Sequence, residues 1–245
     1  MVKINKDNLY YVLPTQRYDL TTHPPSQTMQ GNFTFWAKFK VNKKIKTKVP
    51  CSVMMRPGLH YGLCYNQDHD SINWEFWYNQ DGESDEFGMT TLCTNHEFKG
   101  KTLFDTEWLV IIRHIEANKA FTMHVYDDVG KLITRETTYE GKLKDFSGTP
   151  YNFGCGNYFK QVGDDHYFFG DYNLYNCGLI ENVEYDDGLL LEFIDKTKND
   201  KDELKGHYPL LDLVFYFNFN NRTLYKVWDL SGHCNFLAVN TDLGT

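Results

Sequence analysis

Gly31-Asn32-Phe33-Thr34-Phe35-Trp36-Ala37-Lys38-Phe39-Lys40-Val41 is the stretch on which the fold turns. Phe33, Phe35, Ala37, Phe39 and Val41 alternate with Asn32, Thr34, Trp36, Lys38 and Lys40. A period of two puts the first set on one side of an extended chain, so the spacing predicts a strand with one buried face. Lys43, Lys44, Lys46 and Lys48 extend the run begun by Lys38 and Lys40. Here the expectation is a solvated hairpin whose lysines guard an edge strand.

The same rhythm spreads outward. Residues 51–56 end at Pro57-Gly58, 60–65 at Asn66-Gln67-Asp68, and 71–78 at Asn79-Gln80-Asp81-Gly82, a hairpin signal. Further strands are expected over 89–94, 108–114, 121–126, 131–138, 151–158, 167–176, 179–184, 211–219 and 235–239. Residues 1–30 read as an opening strand and a loop. One segment breaks the pattern. Within 188–201, Leu190, Phe193, Ile194 and Thr197 fall at helical spacing, which predicts a short helix on the outside of the sheets. Many short antiparallel strands with one peripheral helix make an all-β sandwich. No linker-like stretch or fixed-period repeat divides the chain, so a single domain over 1–245 is expected.

Composition excludes several classes. The chain has 245 residues, and Lys+Arg 25 against Asp+Glu 33 gives a net charge of −8. With 18 Phe, 17 Tyr and 5 Trp it is too aromatic for a disordered chain, and 18 Gly with 7 Pro is too little for a collagen-like one. The acidic balance argues against nucleic acid as a partner, since phosphate binding needs clustered Lys and Arg. Cys51, Cys64, Cys93, Cys155, Cys177 and Cys234 form no Cys-x-x-Cys motif, and buried thiols are the favoured reading. Residues 1–20 have no basic start followed by an apolar run, so no signal peptide is expected, and no apolar stretch approaches a membrane span.

Strand phase also offers a binding face. In 71–78, Ile72, Trp74, Phe76 and Tyr78 share one side, leaving Asn73, Glu75 and Trp77 on the other. In 108–114, Arg113 opposes the core set Trp108, Val110 and Ile112, and in 121–126 His124 and Tyr126 oppose Phe121, Met123 and Val125. If these strands are neighbours, Asn73, Glu75, Trp77, Arg113, His124 and Tyr126 form one polar and aromatic ligand-binding face. Sugar recognition needs such a face, with a flat ring for the apolar side of the pyranose and planar polar groups for its hydroxyls. An ordinary outward sheet face has a similar composition. A second candidate is the loop set Arg56, His60, Tyr61, Tyr65, Asp68 and Asp70.

Several segments in order resemble the concanavalin A-like lectin/glucanase superfamily, specifically its LamG-type (laminin-G-like) members. They are Gly31 to Phe39, then Asp105-Thr106-Glu107-Trp108-Leu109-Val110-Ile111-Ile112-Arg113, and the hairpin from Phe121 to Lys131. Phe153-Gly154-Cys155-Gly156, Phe168-Phe169-Gly170-Asp171 and Asp229-Leu230-Ser231-Gly232-His233-Cys234-Asn235 complete the set, which covers about residues 30–240. The resemblance implies a jelly-roll sandwich of two antiparallel sheets, one of them with a concave face. It says less about activity, because this fold carries lectins, glycosidases and adhesion modules alike.

Retaining glucanases of that superfamily carry Glu-x-Asp-x-x-Glu on one strand. The nearest run here is Glu83-Ser84-Asp85-Glu86-Phe87-Gly88, with Gly88 where the third carboxylate belongs. The expectation therefore leans away from an enzyme. Calcium, common in the family, would draw on Asp164, Asp165 and Asp171, with Asp229 and Asn235 as another group. The function expected first is a non-catalytic, lectin-like carbohydrate-binding module whose partner is a glycan or polysaccharide. A structural or protein-interaction sandwich of a virion or surface assembly, with a protein partner or homo-oligomer, comes second. A divergent glycoside hydrolase comes third.

Overall fold

The structure, a computed structural model, describes residues 2–4, 9–13, 31–44, 51–55, 61–79, 88–94, 98, 100–104, 106–143, 152–153, 170–181, 186–199, 213–222, 226–230 and 236–240. Its strands are β1 (Val2–Ile4), β2 (Leu9–Leu13), β3 (Phe33–Val41), β4 (Cys51–Met55), β5 (Tyr61–Asn66), β6 (Ser71–Asn79), β7 (Gly88–Cys93) and β8 (Trp108–Ile115). After them come β9 (Ala120–Tyr126), β10 (Lys131–Thr138), β11 (Lys142–Leu143), β12 (Asn152–Phe153) and β13 (Tyr172–Glu181). Helix α1 (Asp187–Thr197) precedes β14 (Leu213–Arg222), β15 (Lys226–Asp229) and β16 (Phe236–Asn240). The all-β sandwich with one peripheral helix is what the sequence predicts. Among the described residues no helix is long and apolar enough to cross a membrane.

Pairing is antiparallel throughout and runs β10-β9-β8-β3-β13-β14, then through β15, β16, β2 and β12 to β4-β5-β6-β11, with β7 on the other side of β6. The ends of this path fold over one another. Phe35 of β3 stacks on Trp74 of β6 with centroids 6.3 Å apart, and Phe121 of β9 meets Phe76 of β6 at 4.2 Å. Such contacts between the inner faces of two layers are what bury an aromatic-rich β core. Arg135 of β10 closes the open side. Its Nε donates to the Cys93 carbonyl at 3.0 Å, and Nη2 reaches the Thr94 carbonyl at 3.4 Å.

Three expectations need correction. The lysine run does not guard an edge, because β3 lies between β8 and β13. Lys38 instead pairs with Glu107 at 3.1 Å, Lys43 with Asp171 at 3.5 Å and Lys44 with Asp68 at 2.6 Å. Nor is β3 buried on one face only. Trp36, on the supposedly outward phase, is fully buried, because α1 covers that side of the sheet. Strands expected separately over 167–176 and 179–184 are, as described, one strand, β13, which passes straight through Gly178.

Helix α1 buries Leu190, Phe193, Ile194 and Thr197, the four residues singled out by spacing. They pack on Trp36, Leu109, Ile111, Ile180 and Tyr216, which makes a second apolar layer outside the first sheet. Asp186 caps the helix by accepting from the Leu189 N–H at 2.8 Å. At the other end Asn218 Nδ2 donates to the Thr197 carbonyl at 2.8 Å, satisfying one of the last open carbonyls.

Candidate functional site

Arg113, His124 and Tyr126 do come together. Strands β8 and β9 are neighbours, with Arg113 opposite Thr122, Ile111 opposite His124 and Leu109 opposite Tyr126. Strand β6 adjoins neither of them; it pairs with β5, β7 and β11. Its Trp74 and Phe76 face the core, so Asn73, Glu75 and Trp77 face outward from the opposite layer. The single six-residue face is therefore two faces on opposite outsides of the sandwich. Phase along a strand tells inside from outside, but it does not tell which sheet the strand joins.

The first face is closed by the chain itself. Asp187, in the first turn of α1, ion-pairs with the Arg113 guanidinium, and its Oδ2 accepts from His124 Nδ1 at 2.6 Å. The Tyr126 hydroxyl also donates to Asp187. Burial works to raise the Asp187 carboxyl, but the His124 hydrogen bond and the Arg113 charge outweigh it and hold it below its ordinary value. Asp187 is the residue that sequence reasoning missed. Its signal was the pair Asp186-Asp187 directly before the helical run, where an N-cap and a first-turn acid belong.

The second face is built differently. Asn73 lies opposite Cys64 of β5 and Cys93 of β7, and Cys64 in turn lies opposite Ser52 of β4. One step along, Glu75 lies between Gly62 and Thr91. Burial deepens across this strip, from exposed Thr91 through half-buried Glu75 and Trp77 to buried Asn73, Cys64 and Ser52. Among the described residues its polar groups find few partners. The Ser52 hydroxyl is buried with no hydrogen-bond partner. Asn73 Oδ1 accepts from the Ser71 hydroxyl at 3.1 Å. Among the described residues no hydrogen bond or ion pair reaches the Glu75 carboxyl, and burial alone pushes it above its ordinary value. Trp77 makes no ring contact among them. Buried polar groups in folded proteins are normally satisfied, so a cluster of unused ones calls for an explanation.

The remaining sequence candidates fare unevenly. Asp164 and Asp165 lie outside the described residues, as do Arg56, His60, Asn235 and the run 83–87. Nothing is described of the side chains of Tyr61 and Asp229. Tyr65 is a core residue, packed against Phe39 and Tyr172. Asp70 accepts from the Leu103 N–H at 2.7 Å. Asp171 is buried, bonded by Asn42 Nδ2 at 2.9 Å and paired with Lys43. Among the described residues no group of three or more metal-binding side chains occurs. Cys51, Cys64, Cys93 and Cys177 are not in disulfides.

No protein-family model matches the chain, and no curated protein sequence does. Solved structures do resemble it. The binding domain of botulinum neurotoxin DC in complex with SialylT aligns at TM-score 0.50 and 8% identity, over 82% of this chain and 44% of that one. This chain thus spans less than half the length of that domain. Ruminococcus gnavus IT-sialidase CBM40 bound to α2,3 sialyllactose aligns at TM-score 0.48 and 13% identity, over 78% and 96%. The enzymatically active domain of bacteriophage CBA120 tailspike protein 2 aligns at TM-score 0.48 and 10% identity, over 80% and 28%. The likeness is one of fold, a β-sandwich.

Proposed function

We propose that this chain is a non-catalytic, lectin-like glycan-binding sandwich whose binding strip is Asn73, Glu75 and Trp77 on the outward face of β6. The observation that carries this reading is the set of unused groups on that strip. An indole, a carboxyl, an amide and a hydroxyl lie along this face with few partners among the described residues. A pyranose ring supplies the matching surfaces, with C–H groups for the indole and hydroxyls for the polar atoms. Successive outward residues on a strand stand about 7 Å apart, so the span from Asn73 to Trp77 accommodates two or three sugar rings.

Two further points support the reading. A protein of this fold, the neurotoxin binding domain, is solved with SialylT, and the motifs from residue 31 to residue 235 resemble those of concanavalin A-like, LamG-type domains. Binding is favoured over hydrolysis because Glu75 is the one carboxylate within the strand residues of β4, β5, β6 and β7, whereas glycoside cleavage ordinarily takes a pair. Affinity electrophoresis through gels containing polysaccharides, with a glycan array, tests the proposal. Retardation that Trp77→Ala reduces at least tenfold, with the thermal melt unchanged, is the expected result. Absence of binding to every glycan overturns it.

Calcium belongs with this proposal through Asp164, Asp165 and Asp171. A melt lowered by EDTA and restored by calcium, a response lost on Asp171→Asn, is the expected outcome. A melt unmoved by EDTA removes it.

A further inference from the structure

The charge distribution over β4 to β7 specifies the ligand more narrowly. These strands read Cys51-Ser52-Val53-Met54-Met55, Tyr61-Gly62-Leu63-Cys64-Tyr65-Asn66, Ser71-Ile72-Asn73-Trp74-Glu75-Phe76-Trp77-Tyr78-Asn79 and Gly88-Met89-Thr90-Thr91-Leu92-Cys93. Glu75 is the one charged residue among them. Its cross-strand neighbours, Gly62 and Thr91, bring no cation to it. Among the described residues, Arg135 of β10 is engaged at the far edge of β7 with the Cys93 and Thr94 carbonyls, and the cation that strand pairing brings to this sheet is exposed Lys142 of β11. It lies opposite Asn79, four residues beyond Glu75, or about 13 Å along the strand.

We infer that the strip takes a neutral sugar ring beside Trp77 and excludes rings that carry a carboxylate there. The inference rests on the glycan-binding reading of the same strip. A carboxylate-bearing sugar over Trp77 would meet the Glu75 carboxylate in a half-buried setting, where like charges repel far more strongly than in water. Neutral hydroxyls face no such barrier. They donate to the carboxylate, and hydrogen bonds to an ionised acceptor are the stronger kind. Gly62 opposite Glu75 has no side chain to occupy the space beside the carboxyl. A sheet built to hold acidic sugars would place Arg or Lys on this face, since guanidinium and ammonium groups are what recognise carboxylates.

The test uses the full chain at pH 8 on an array of lactose and N-acetyllactosamine chains, each with and without terminal sialic acid. Methyl-esterified and de-esterified galacturonan are included as a second matched pair. Neutral members should be bound, and the acidic member of each bound pair should be at least tenfold weaker. Glu75→Gln, which keeps shape and removes charge, should narrow that gap to less than threefold. A preference for acidic members, or a gap that Glu75→Gln leaves unchanged, overturns the inference while leaving glycan binding in place. Binding that Trp77→Ala does not alter overturns the placement on β6. An array with no bound glycan overturns both. Should Glu75→Gln fail to fold, the gap in the unmodified protein still decides.

Discussion

Trp36 of β3 occupies the space that a side chain on Gly178 of β13 would need. The two residues are cross-strand partners, and a Cβ at Gly178 would stand 2.2 Å from the indole ring. Cross-strand pairs carry much of the energy of a sheet, and this one also forms the floor on which Phe193 of α1 rests, 6.1 Å from Trp36 between centroids. Gly178→Ala should therefore destabilise the fold by about 1–3 kcal/mol, as overpacking does. Urea unfolding measures it. Adding Trp36→Phe, which removes the ring in the way, should return part of the loss. A Gly178→Ala protein as stable as the parent would show that the indole moves aside at no cost.

Asp187 fixes the start of α1 to the sheet through Arg113, His124 and Tyr126. Asp187→Ala leaves the Arg113 guanidinium, the His124 ring and the Tyr126 hydroxyl without this acceptor, and should cost about 1–3 kcal/mol. The sign of the pH effect follows from the lowered carboxyl. Its contribution is complete above the ordinary value of 3.8 and is lost as the pH falls through the lower folded value. The parent should lose this increment in the acid limb of its stability curve, and Asp187→Asn should not. Glycan binding should survive both substitutions, because the latch and the Trp77 strip lie on opposite faces.

His114 is buried with both ring nitrogens engaged. Nδ1–H donates to the Gly31 carbonyl at 2.5 Å, and Nε2 accepts from the Tyr139 hydroxyl at 2.7 Å. Burial is the main cause that lowers this histidine below its ordinary 6.5, so the neutral form is the folded form. The unfolded chain then binds more protons in the window below pH 6.5, and stability should fall as the pH drops through it. Chemical denaturation between pH 7.5 and pH 5 should reveal that slope, and His114→Phe should flatten it. Tyr139→Phe strands the Nε2 acceptor and should cost about 1–3 kcal/mol at pH 7.5.

Glu75 should be a liability to folding. Burial raises its carboxyl, so the group stabilises the fold least once the pH has risen through the folded value and the charge has formed. Glu75→Gln should raise stability at pH 7.5 by about 0.5–2 kcal/mol, a gain common when a residue kept for binding is replaced. An unchanged or lowered stability would mean that the carboxylate is compensated in the folded protein.

Much of this protein is legible along the chain because strand and helix periods are local. Phe33, Phe35, Ala37, Phe39 and Val41 declare a buried face by spacing alone, and Leu190, Phe193, Ile194 and Thr197 declare the inward stripe of α1. Trp77 and Glu75 likewise declare that they point away from the core. The sequence by itself therefore determined an all-β sandwich, a peripheral helix and the outward phase of Glu75, Trp77, Arg113 and His124.

What only the tertiary structure decided is which outward faces share a surface. Pairing partners are set by contacts far apart in sequence, so phase could not say that β6 lies across the sandwich from β8 and β9. Nor could it say that α1 would fold back to bury Trp36 and place Asp187 against Arg113. That one long-range contact, between side chains 74 residues apart in the chain, closes the face at Arg113, His124 and Tyr126. Local sequence fixes the direction of a side chain; the packing of distant segments settles whether anything meets it.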